Sequence, residues 1–347
     1  MKKHSKYRIW TILLLLASGC DTVPEDEFVN SFEKTKTIEL QSKPVQLRLD
    51  NPFLSYMFEM IYSDSLLFIN EFPDPEYCMK IVDLRNKTIR NFAKKGKGPD
   101  EMQAQACEFS MDYLNRNLYV TDHSNYYIYP IDSILNYKDI HLPGFPFRPE
   151  EASFLKTTYC NGYIVGNTIT SRFALYNIGT KVCAGKYPYS IGPLVDQAKF
   201  YSHPYKNIVA YFNSQSATMG LLHIENETIT MKEHSWWKSK SKEISNGKFR
   251  GTIPGKDAKN GFITATVSEK YLYSLYSGKI FDHRSIETLT KAFFSRYVYV
   301  HDWDGNPVKR FKLDQEVRSI AIDDKNNTLY AASFEGGAPH IIKYQLK

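Results

Sequence analysis

The 347-residue sequence predicts an all-β fold, a six-bladed β-propeller, on three observations. Short runs of alternating apolar and polar residues recur in pairs, each pair joined by a polar turn. Aromatic content is 14%, with 25 Tyr and 21 Phe, which suits strands that bury one face. No stretch of the body keeps a helical period, so an α/β fold lacks its helices. The centres of the expected second strands fall near Phe68, Tyr119, Ile164, Ala210, Tyr273 and Tyr330. Their spacing of roughly 45 to 63 residues exceeds the ~40–45 of WD40 blades, as insertions would require. Six blades account for the runs better than seven, and a two-sheet sandwich needs far fewer strands.

The first 19 residues read as a lipoprotein signal peptide. A basic segment, Lys2 to Arg8, precedes the apolar run Ile9–Ala17 and then small residues leading to Cys20. Nine apolar residues are too few to cross ~30 Å of hydrocarbon, so the segment is an export signal rather than a span. Ala17-Ser18-Gly19-Cys20 resembles the bacterial lipobox, which implies cleavage before Cys20 and diacylglycerol on its sulfur. Residues 20–35, with Pro24 among Asp21, Glu25, Asp26 and Glu27, then read as a flexible acidic tether. Residues 36–347 are expected to form one propeller domain.

The blades follow in order. Leu66–Asn70, Met79–Asp83 and Thr88–Phe92 belong to the first, and Gly96, Gly98 and Pro99 mark the crossing to the second. Cys107–Met111, Leu118–Thr121, Tyr127–Ile131 and Asp139–Leu142 make that second blade. Phe154–Thr158, Tyr163–Asn167, Phe173–Asn177 and a run near Val182 make the third, with Asn161-Gly162 as a hairpin turn. Ile208–Asn213, Gly220–Ile224 and Thr228–Lys232 form the fourth. Ser235–Lys259 shows no periodicity and reads as a long loop. Phe262–Val267, Tyr271–Tyr276, Tyr297–Asp302 and Val308–Leu313 make the fifth blade, with a polar insertion at Gly278–Lys291. Val317–Ile322, Thr328–Ala332 and His340–Leu346 make the sixth, one strand short. Lys36–Leu40 is expected to supply that strand and close the ring.

Gly96–Met102, GKGPDEM, resembles the GxGPGEF element of NHL-like and TolB-like six-bladed propellers. Asp302–Asp314 and Ser319–Ser333 resemble the closing blades of TolB-like propeller lipoproteins from Bacteroidota, and Val267–Lys279 the blade before them. Asp100 stands where that family usually has Gly, and Met102 where it has Phe. The likeness covers roughly residues 60 to 347 and implies a fold but no activity. Acidic residues after a lipidated cysteine accompany export to the outer face of the outer membrane in Bacteroidota lipoproteins. The resemblance therefore implies an outer-membrane lipoprotein, facing the periplasm or the surface.

Composition excludes little and favours little. Of the 44 basic residues, the 4 in the leader are lost on cleavage, leaving 40 against 38 acidic ones, so the +6 formal charge falls to about +2. That balance gives no argument for nucleic acid. Cys78, Cys107, Cys160 and Cys183 contain no CxxC pair, and most of them are expected as buried small hydrophobes. No metal site and no cofactor is expected, because the histidines are scattered and no nucleotide or nucleophile-elbow motif occurs. His301-Asp302-Trp303-Asp304 could hold a metal or an acid–base pair, but Asp residues flanking a hairpin turn more often cap it. Trp236, Trp237 and Lys238 are the candidate ligand-binding residues, since exposed aromatics stack on sugars or partners. A Trp pair packed between blades is the competing reading, and the favoured one. The expected function is a lipid-anchored binding module for a glycan, peptide or envelope protein. The alternative is an enzyme, a lyase or hydrolase acting at the axial funnel.

Overall fold

The computed structural model describes residues 26–346 except 49–53, 73, 99–100, 103–106, 123, 137–139, 141, 148–153, 246–249, 254, 256–257 and 281–284. The leader, Cys20 and residues 20–25 of the expected tether lie outside the described residues. The described chain begins with α1 (Glu27–Asn30), β1 (Lys36–Leu40) and β2 (Ser42–Pro44). Blade one is the antiparallel meander β3 (Tyr56–Ser63), β4 (Leu66–Phe72), β5 (Tyr77–Asp83) and β6 (Thr88–Lys94). Blade two is β7 (Glu108–Asp112), β8 (Asn117–Thr121) and β9 (Asn125–Pro130), then α2 (Ile131–Asn136) and the short edge strand β10 (Phe145–Pro146). Blade three is β11 (Phe154–Cys160), β12 (Tyr163–Thr168), β13 (Phe173–Asn177) and β14 (Val182–Tyr187). Blade four is β15 (Ala198–Ser202), β16 (Ile208–Asn213), β17 (Ala217–Glu225) and β18 (Thr228–Trp237). The hairpin β19 (Lys242–Ser245) and β20 (Arg250–Ile253) stands apart as its own two-stranded sheet.

Blade five contains β21 (Phe262–Val267), β22 (Tyr271–Tyr276) and, after α3 (Ile286–Lys291), β23 (Ser295–Asp302). The long β24 (Pro307–Asp323) serves two blades: Pro307–Lys312 pairs with β23, and Val317–Asp323 pairs with β25 (Thr328–Ser333). β26 (His340–Gln345) follows in blade six. The ring closes differently from the sequence expectation. β1 runs parallel to β24, Lys36 opposite Lys309 and Leu40 opposite Leu313, on the outer edge of blade five. It is β2 that pairs antiparallel with β26 and supplies the fourth strand of blade six. The Asp314 carboxylate pins the step between them, accepting from the Ser42 amide at 3.0 Å and the Ser42 hydroxyl at 2.9 Å.

Turn chemistry explains why the meanders are regular. Asp83, Asp112 and Asp323 each accept from the backbone N–H and side-chain amide of the Asn three residues on, in the motif Asp-x-x-Asn. Asp302 does the same for Asn306 four residues on, at 2.8 Å and 2.9 Å, so the turn reading of the His301–Asp304 cluster holds. Asn161 and Gly162 both have positive φ, 44° and 90°, as the two-residue hairpin needs. At the crossing to blade two, Glu101 folds back to accept from the Gly98 N–H at 2.9 Å and to pair with Lys94 at 2.9 Å. A Cβ on Gly96 would meet that carboxylate at 1.8 Å, so any larger residue there would displace Glu101 from this position.

The core lies between blades. Phe68, Ile81 and Phe92 of blade one face Phe109, Leu118 and Tyr129 of blade two, all buried. Each such side chain contributes about 1.5–3 kcal/mol. Two expectations need correction. Residues 26–35 are not a solvated tether: Asp26 caps α1, accepting from the Phe28 N–H at 3.1 Å, and Phe28 and Phe32 are fully buried. Nor is Ser235–Lys259 structureless, because β18 runs on through Trp237 and β19 and β20 follow. The described fourth strand of blade two is Phe145–Pro146, paired with β9, while the expected run Asp139–Leu142 lies in part outside the described residues.

Candidate functional site along the propeller axis

The first strand of every blade borders the axis: β3, β7, β11, β15, β21 and the second part of β24. These strands carry Glu59, Glu108, Lys156, Lys199, Thr264 and Arg318, one from each blade, toward the face where the chain crosses between blades. Lys156 and Glu108 form an ion pair. Burial pulls the Lys156 ammonium down, but Glu108 outweighs it and the group ends above its usual value. Lys199 is shifted down by burial, with Glu59 opposing. It forms no ion pair among the described residues. Three cations against two carboxylates leave the axial cluster with an excess positive charge.

Arg318 is the most confined of these charged groups, 5% exposed. Its guanidinium carbon lies 4.2 Å from the ring centroid of Tyr56, 4.4 Å from Phe58, 5.1 Å from Phe293 and 5.9 Å from Phe294. Nη1 donates to the Tyr56 hydroxyl at 3.2 Å, and Nε is buried with no acceptor. Burial lowers its pKa to about 10, with Tyr56 opposing.

Further along the axis a small cavity of about 30 Å³ is lined by Glu59, Ser110, Thr158, Tyr201, Ser202 and Thr266 among others. Hydroxyls alternate there with apolar side chains such as Met60, Phe109 and Phe200. The Tyr201 hydroxyl accepts from the Ala265 N–H at 2.9 Å and lies 3.2 Å from the Thr264 hydroxyl. Tyr113 and Val267 line both this cavity and the mouth beyond it, so the two adjoin.

The mouth has a volume of about 490 Å³ and opens on the face that carries the first-to-second-strand turns. Blades one, two, four, five and six contribute Asp64, Arg116, Tyr205, Glu269 and Asp324 among its lining. Arg116 bridges Asp64 at 2.7 Å and Asp132 at 2.8 Å, while Arg85 donates to the Asp64 carbonyl at 2.8 Å. His203 stands beside the mouth, its Nδ1 accepting from the Tyr205 and Lys206 N–H groups. Burial lowers its pKa, with Lys206 adding to the shift. The result is a polar bowl in which Arg116 and Arg85 tie the turn at Asp64 to its neighbours.

The residues singled out from sequence stand elsewhere. Trp237 pairs with Ala217 and Ser235 with Thr218, which leaves Trp236 as the extra residue of a β-bulge. The bulge turns Trp236 onto Phe28, ring centroids 4.8 Å apart, and under His234 at 4.3 Å. The Trp237 Nε1 donates to the Tyr276 hydroxyl at 2.8 Å. Both indoles are half-buried and Lys238 is exposed. Trp236 and His234 also line a lateral groove of about 310 Å³ with Ser31, Met219, Lys232 and Asp304. Both indoles therefore help seat the N-terminal segment, and only Trp236 lines the groove. His301 is fully buried against Phe32 at 4.9 Å, and neither ring nitrogen has a partner. Among the described residues no three His, Cys, Asp or Glu side chains cluster as a metal site, and no helix is long and apolar enough to cross a membrane.

A profile described as TolB-like 6-blade propeller-like matches residues 195–325. That span holds blades four and five and the opening of blade six, including the resemblance at Val267–Lys279 and Asp302–Asp314. Among solved structures, the chain is similar to a Bacteroides thetaiotaomicron protein of unknown function at 10% identity. That match covers 88% of this chain and 75% of the other, with a TM-score of 0.53. The WD40 repeats of RRP9 are similar at 8% identity, covering 89% and 100%, with a TM-score of 0.51. The fold is an all-β propeller. At such identities the structural likeness shows the fold alone. No curated protein matches the chain. The inner strands that build the axis went partly unread from sequence, and Arg318 was hidden among the apolar residues of Val317–Ile322.

Proposed function

We propose that this propeller is a lipid-anchored binding module of the bacterial outer membrane, tethered through diacylglycerol on Cys20, and that its ligand seats in the axial mouth. The observation that carries the reading is the mouth itself. Turns from five blades surround about 490 Å³, a volume in the range of ligand sites. Its charged groups hold the bowl in shape: Arg116 binds Asp64, and Asp323 binds Asn326. Glu269, Asp324 and Lys325 also line the mouth, so both signs of charge face a ligand there, which suits recognition of a polar group. An enzyme at the same funnel would use one of those two carboxylates to move a proton.

The test uses the full chain with Cys20→Ser. This variant should leave the membrane fraction on salt washing, whereas the parent stays; retention of both would refute the anchor. The same protein, screened on glycan and peptide arrays, should bind a restricted set. Binding should fall at least tenfold in Glu269→Lys with Lys325→Glu, both in the mouth. Array binding that both substitutions leave untouched would refute the placement of the site.

A further inference from the structure

The opposite end of the axis carries a second feature that the mouth does not explain. Arg318 is a permanently charged group, 5% exposed, with no carboxylate partner among the described residues. A buried cation left unpaired is costly, and an apolar side chain of similar size would close the channel at no such cost. The aromatic rings offset part of the penalty through their faces. They do not use the fork of donors: one Nη1 bond to Tyr56 is made, and Nε has no acceptor. Tyr56, Phe58, Phe293 and Phe334 are only half-buried, so rings from blades one, five and six frame the guanidinium without sealing it. Phe334 lies 4.9 Å from Tyr56 and 5.4 Å from Phe294, which makes the frame continuous. On the inner strand of blade four, unpaired Lys199 is close enough for its charge and that of Arg318 to interact. A guanidinium with no carboxylate partner among the described residues, beside a wall of rings and near a Lys199 ammonium that Glu59 partly offsets, matches an anion carried on a carbon body.

We propose that the crossing face of the propeller holds a second site, in which Arg318 binds the carboxylate or phosphate of a small organic anion whose body lies against Tyr56, Phe58 and Phe293. The guanidinium fork suits the planar, bidentate geometry of such groups, and the rings suit an apolar or sugar-ring body. The site is separate from the mouth and does not depend on it.

The experiment is calorimetric titration of the full Cys20→Ser chain with sodium benzoate, sodium glucuronate and inorganic phosphate at fixed ionic strength. At least one of the two organic anions should bind saturably and raise the melting temperature by about 2 °C at roughly tenfold excess over its Kd. Arg318→Lys keeps the charge but loses the fork, and should weaken that binding at least tenfold. Lys199→Met, away from the ring frame, should weaken it severalfold, and Glu269→Lys in the mouth should leave it unchanged. If Arg318→Lys fails to fold, Phe58→Leu serves instead and should weaken glucuronate or benzoate severalfold. Absence of saturable binding, equal affinity in Arg318→Lys, or phosphate binding as tightly as both organic anions would overturn the proposal.

Discussion

The Asp26 carboxylate accepts a hydrogen bond from the Tyr276 hydroxyl at 2.7 Å, joining residues 250 positions apart. The same hydroxyl accepts from Trp237 Nε1, so one bonded line ties the N-terminal segment to blades four and five. Below it, Phe28 touches Phe32, Trp236, Phe262, Tyr276 and Tyr299, with centroids between 4.2 Å and 5.6 Å. Aromatic contacts of this kind add to simple burial. Phe28→Ala should therefore lower stability by about 3–5 kcal/mol, as for other buried aromatics. Chemical denaturation of the two proteins checks this, and equal midpoints would mean the segment is not docked in solution.

The Trp pair should separate by role. Trp237→Phe keeps the ring but removes the donor to Tyr276, and should lower stability by about 1 kcal/mol. Trp236→Ala removes a half-buried ring packed on Phe28 and should lower it by about 2 kcal/mol. If Trp236→Ala leaves the melting temperature unchanged and instead weakens ligand binding, the indole belongs to a binding surface rather than to the docked segment.

His301 predicts an acid response. Burial holds its pKa at about 3, with Asp302 opposing, well below the roughly 6.5 of an exposed imidazole. The unfolded chain therefore binds a proton that the folded chain refuses between those two values. This contribution is fully present above about pH 6.5 and is lost as pH falls toward 3, with a limiting slope of about 1.4 kcal/mol per pH unit. His301→Leu should flatten the stability profile across that window. A parallel profile for the two proteins would show that His301 is protonated without unfolding.

Much of the fold was legible because second strands alternate and end at polar turns. β4, β8, β12, β16, β22 and β25 stand where the sequence predicts them. The inner strands β3 and β15 went unread because Glu59 and Lys199 face a channel, so a polar residue there does not mean solvent. β2 is three residues long and ends in Pro44, below any periodic signal. The N-terminal segment misled through its acidic residues. Asp26 as a cap, with Phe28 and Phe32 four residues apart, was the signal for a short helix with one buried face. The axial site was not legible, because nothing local in Val317–Ile322 tells that Arg318 meets rings from two other blades.

The central claim is that recognition takes place at the mouth of the axis. Amide hydrogen exchange of the Cys20→Ser chain, with and without a ligand found on the arrays, tests it most directly. The account predicts slower exchange in the turns at residues 64–65, 113–116, 204–206, 268–270 and 323–327, with the outer strands unchanged. Protection confined to β18 and the turn at 304–307, around the lateral groove, would contradict it.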